Sequence, residues 1–111
     1  MNISDIFRLI YEGEGERVEF KEAFPDRSPD KIAEAVAAFA NTHGGTLLFG
    51  VNDDGALVGI DNADDTMKRI ASVAQQKCQP AIHVSISNHV IDGKSLVVVR
   101  VPQSENRVLA Q

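Results

Sequence analysis

The chain holds a single cysteine, Cys78, so it forms no internal disulfide. No group of Cys and His residues has zinc-site spacing, and one lone thiol suits a reducing compartment. Apolar runs such as Leu96–Val99 fall far short of the roughly 20 residues that a membrane helix needs. The opening Met1-Asn2-Ile3-Ser4-Asp5 lacks the basic flank and apolar stretch of a signal peptide. The expectation is therefore a cytoplasmic chain with no membrane partner. A basic excess is also missing: 11 Lys and Arg stand against 16 Asp and Glu, a net charge of −5. Phosphate binders usually carry the opposite balance, so an affinity for nucleic acid would need a local basic patch. Gly44-Gly45 lacks the flanking glycines and the Lys-Ser/Thr pair of a phosphate-cradling P-loop, so it reads as a helix cap.

What is present describes an ordinary globular domain. With 111 residues, 43% hydrophobic and 24% charged, the chain has enough material for one core and too little for two. Ile3, Ile6, Phe7 and Ile10 recur at helical spacing, with Asn2 or Ser4 available as N-cap. Val18 and Phe20 alternate with Arg17, Glu19 and Lys21, the period of a half-buried strand. Ser28-Pro29-Asp30 reads as N-cap, N1 proline and an acid favourable to the dipole. A helix follows whose stripe is Ile32, Val36, Phe39 and Ala40. Thr46–Val51 is a nearly continuous apolar run, and Asn52-Asp53-Asp54-Gly55 predicts a turn into a partner strand at 56–60.

Asp61 or Asn62 then opens a third helix carrying Met67, Ile70, Ala71, Ala74 and Cys78, and Pro80 closes it. Ile82, Val84 and Ile86 alternate with polar residues, and Asp92-Gly93 predicts a tight hairpin into Leu96–Val101. Residues 102–111 are polar and show no periodicity, so they read as the start of a truncated C-terminal segment. The predicted fold is α/β in the α+β sense: a mixed, largely antiparallel sheet of about five strands, with about three helices mainly on one face.

Two constellations could carry chemistry. Strand alternation puts Glu19 and Lys21 on one face with Glu14 at its entrance, and Asp53 stands in an acidic turn. Carboxylates that hold Mg²⁺ or Mn²⁺ beside a charge-stabilising lysine are what phosphodiester cleavage requires. A solvated strand face with a Glu19–Lys21 pair, and a turn that simply prefers Asn, Asp and Gly, account for the same residues. His43, His83 and His89 share no ligand spacing. His43 lies where it could reach a phosphate from a helix end, and His83 where it could face solvent.

Taken together, Gly15-Glu16-Arg17-Val18-Glu19-Phe20-Lys21-Glu22, Ala38–Gly55, Val58-Gly59-Ile60 and Val101–Arg107 closely resemble the Schlafen AlbA-like domain family. The resemblance spans nearly the whole chain, with 1–101 as the domain. It implies a nucleic-acid-binding module, DNA before RNA, of bacterial and archaeal transcriptional regulators. It also implies a second reading, since some vertebrate relatives are metal-dependent RNA nucleases with an acidic triad. Glu14 and Glu19 would supply two of those acids. Asn52 falls near the third position, leaving Asp53 or Asp54 to substitute. In the binding reading Arg17, Lys21, Arg27 and Lys31 contact phosphates, and no cofactor is needed. A third reading, which the acidic net charge favours, is a protein-interaction or dimerisation module with no nucleic-acid contact.

Overall fold

A computed structural model describes residues 1–111. Helix α1 (Ile3–Glu12) leads into strand β1 (Val18–Lys21), then α2 (Asp30–Ala40), β2 (Gly45–Phe49) and α3 (Ala63–Gln76). Strands β3 (Cys78–Gln79), β4 (Ser85–Ile91), β5 (Lys94–Val101) and β6 (Leu109–Ala110) follow. The main sheet has four strands in the order β1-β2-β5-β4, and β3 and β6 form a separate two-stranded ribbon. The strand β1 runs parallel to β2 through the α2 crossover, while β2·β5 and β5·β4 are antiparallel. The mixed, mostly antiparallel α+β architecture is the predicted one.

Both faces of β2 are buried, as its continuous apolar run requires. Leu47 and Phe49 join Val97, Val99 and Val101 of β5 in the larger core, under Ile32, Val36 and Phe39 of α2 and Ile70 and Val73 of α3. On the other face Leu48, Phe20, Leu96 and Val98 meet Ile6 of α1 in a smaller core. Two helices thus cover one face and one short helix half-covers the other. That coverage leaves one end of the α1 face open.

Local chemistry sets the element ends. Asn2 closes a capping box on α1: its side chain accepts from Asp5 N at 2.9 Å while its own N–H donates to the Asp5 carboxylate at 3.0 Å. Asn62 caps α3 by accepting from Asp65 N. At α2 the expected Ser28 side-chain cap is not formed. Pro29 is already in helical conformation and carries no side-chain cap, and the Ser28 carbonyl takes Lys31 N instead. The turn at 92–93 has the left-handed backbone of a two-residue hairpin, φ +52° at Asp92 and +75° at Gly93.

Besides the Ser28 cap, and Cys78, which lies in β3 and not on α3, two longer stretches of the sequence reading differ from the structure. The 52–55 turn forms, with Asn52 accepting from both Asp54 N and Ala56 N, but no partner strand follows it. Both edges of β2 are taken by β1 and β5, so the returning chain has no free ladder to join. It makes one bridge, Val51 to Leu57, and then bonds Gly50 O through Val58 N and Gly59 N and Ser95 O through Ile60 N. The second difference lies in residues 102–111, which fold back on α2. Val108 is buried, Ser104 N donates to Ala40 O, and Leu109 and Ala110 pair with Gln79 and Cys78. A single buried anchor has no period, so the sequence pattern does not reveal it.

Candidate functional site

One register row crosses the whole sheet: Val18 lies beside Thr46, Thr46 opposite Arg100, and Arg100 opposite Ser85. In β5, Arg100 has the parity of Leu96 and Val98, so it points to the α1 face, beyond the part that α1 covers. The row floors an open cleft of about 560 Å³. Met1, Leu9 and the Val101–Gln103 segment line it, together with Arg17, His43 and His83. No Asp or Glu lines it, and neither Arg17 nor Arg100 has a carboxylate within ion-pair distance. On a chain of net charge −5 this is a segregated basic site.

The Gly44-Gly45 step shapes the cleft wall by packing. At Gly44, φ is +77° and a Cβ would lie 2.7 Å from Val101 O, while a Cβ on Gly45 would strike the Phe39 ring. Backbone therefore runs against backbone at Gly44, and Gly45 packs on the Phe39 ring with no room for a side chain. A helix C-terminus normally repels anions through its free carbonyls. At the end of α2 those carbonyls are occupied: Ala37 O by Asn41 N, Ala38 O by Thr42 Oγ1, Phe39 O by Gly44 N and Ala40 O by Ser104 N. The cleft is thereby shielded from the dipole it adjoins.

The sequence-predicted residues separate. Arg17 is in the cleft. Lys21 is not; its ammonium sits 3.0 Å from Glu19 on a half-exposed strand face. Arg27 lies in the exposed β1–α2 loop and Lys31 on the exposed first turn of α2, both away from the cleft. Glu14 accepts a hydrogen bond from Phe20 N at 3.0 Å, and Gly15 N donates to Val18 O, so the 14–15 segment covers the outer edge of β1. Asp53 is exposed at the Asn52-organised turn. No three Asp, Glu, His or Cys side chains come together as a metal-binding group. The Glu14, Glu19 and Asp53 set therefore does not fit a Mg²⁺ or Mn²⁺ site: one acid caps backbone, one pairs with lysine, one stands alone.

Arg100 is the residue the sequence reading missed. Its signal was a lone cation in the apolar run Leu96–Val101, at a parity shared with core residues, where a charge is costly unless the sheet face opens there.

Comparison with known proteins agrees with this architecture. The solution NMR structure of the N-terminal domain of a RecG-related ATP-dependent DNA helicase protein from Nitrosomonas europaea superposes with a TM-score of 0.68 at 28% identity. It covers 92% of this chain and 71% of that one. The crystal structure of the DIP2311 protein from Corynebacterium diphtheriae matches at TM-score 0.67 and 18% identity, a likeness of fold. That match takes in 97% of this chain but 26% of the other. No helix is long and apolar enough to cross a membrane. The family model described as Schlafen, AlbA_2 matches residues 14–111, and the chain belongs to that family.

Proposed function

We propose that this domain is a DNA-binding module that grips backbone phosphates in the Arg17–Arg100 cleft, and that it serves a transcriptional regulator as its nucleic-acid-contacting part. The observation that carries the reading is the absence of any acidic side chain from a cleft lined by two unpaired arginines and two histidines. Family membership and the helicase-related name of the Nitrosomonas neighbour support it. The cleft also contains no Phe, Tyr or Trp. Aromatic platforms are how single strands are held by stacking, so this site favours charge-based contact with a duplex backbone and reads no base.

The test is fluorescence anisotropy of labelled duplex and single-stranded DNA and RNA across a salt series. Saturable binding that weakens with salt and is lost in Arg100→Glu supports the reading. Binding that Arg100→Glu and Arg17→Glu leave untouched, in variants with native circular dichroism, overturns it.

A further inference from the structure

The two edges of the main sheet are unlike. The β1 edge is closed by Glu14 and Gly15, as described above. The β4 edge is open over seven residues, Ser85–Ile91. The two-residue turn after Ile91 makes Ile91 and Lys94 a hydrogen-bonded pair, so Ser85, Ser87 and His89 also bond inward to β5. The opposite parity on β5 agrees, because Ser95 O points away from β4 and accepts from Ile60 N. Ile86, Asn88 and Val90 therefore direct their N–H and C=O groups outward, and no backbone or side-chain group of the chain takes them. The usual protections of an edge are absent: β4 contains no Lys, Arg, Asp, Glu or Pro and no bulge, and Val90 is 62% exposed.

From this we infer that β4 is a self-pairing edge, joining two copies antiparallel about a two-fold axis at Asn88 into one continuous eight-stranded sheet. A second copy fits because the outward residues are symmetric about Asn88. Ile86 falls opposite the partner's Val90, Asn88 opposite its own equivalent, and all three pairs have hydrogen-bonding parity. The exposed valine then packs on an apolar residue instead of water. Charge argues the same way, since two chains of −5 approach best along a stretch with no ionised carboxylate. The axis stands perpendicular to the sheet, so both basic clefts lie on one face, offset by about 20 Å along the strand direction, six residues at strand rise. The pairing does not depend on nucleic-acid binding.

Sedimentation equilibrium of the 111-residue chain, without nucleic acid, tests this. The expected result is a concentration-dependent dimer. Asn88→Lys, which sets two like charges face to face, raises the dissociation constant about tenfold or more. Val90→Lys, at a second outward site, does the same. An equimolar mixture of Asn88→Lys and Asn88→Asp restores the dimer as a heterodimer, a result that loss of folding does not produce. A monomer at every concentration overturns the inference. So does a dimer unchanged in both lysine variants, which would place the contact elsewhere, such as the exposed Ile3, Phe7 and Tyr11 stripe of α1. Failure of the mixture to recover also overturns the two-fold at Asn88.

Discussion

Asn41 holds Val108 by both halves of its amide: Nδ2 donates to Val108 O and Oδ1 accepts from Val108 N, each at 2.8 Å. Residues 67 apart in sequence are thus joined at the C-terminal cap of α2, where the carbonyls behind the cleft are also closed. Substituting Asn41→Ala leaves a buried backbone group pair without partners and should cost about 1–3 kcal/mol. Denaturant unfolding measures the loss. Hydrogen exchange at Val108–Ala110 should accelerate before the rest of the sheet does.

The cleft wall has little tolerance for a Cβ. Gly44→Ala must hold alanine at φ +77° against Val101 O, so a loss of about 1–3 kcal/mol is expected. The companion Gly45→Ala must push aside the Phe39 ring. Gly13→Ala, where φ is +85° but nothing lies within 4 Å, supplies the comparison that separates backbone strain from crowding. The midpoints of urea unfolding should fall furthest for Gly44→Ala.

Salt titration should count the cleft cations. Two arginine–phosphate contacts predict a slope of about −1.8 in log–log form on duplex DNA, and each Arg→Ala at 17 or 100 should remove about 0.9 of it. Substitutions at Arg27 and Lys31 distinguish this surface from the one suggested by sequence. If the cleft is the site, Arg27→Ala and Lys31→Ala leave the slope unchanged.

Burial pushes the Cys78 thiol above the ordinary value of 9.0. The unfolded chain therefore releases this proton first. The corresponding stability is fully present below the unfolded thiol's value and declines as pH rises past it. At pH 8 a thiol-specific reagent should label Cys78 slowly in the native protein and rapidly in denaturant.

Much of the fold was legible in the residues. Asn2, Asn62 and Asp92-Gly93 act through hydrogen bonds and dihedrals spanning a few positions, so the sequence places the helix starts and the hairpin directly. The parity of Val18 and Phe20, and the unbroken Leu47–Phe49 run, told which strand was half-buried and which was central. The partner strand expected at 56–60 was not there, because β5, which comes much later in the chain, occupies that edge of β2.

The site was legible only in part. Arg17 could be named because it adjoins a recognisable strand, whereas Arg100 and His83 are far from it in sequence and meet it through strand register. Sequence by itself determined the caps at Asn2 and Asn62, the turns at 52–55 and 92–93 and the burial of β1 and β2, since those follow from side-chain chemistry and the period of the backbone. The tertiary structure alone decided that Glu14 would seal an edge and that Arg17 and Arg100 would share a cleft with no acid in it. It also left the outer edge of β4 without a neighbour. Strand order and register bring distant residues together, and no local pattern of side chains carries that information.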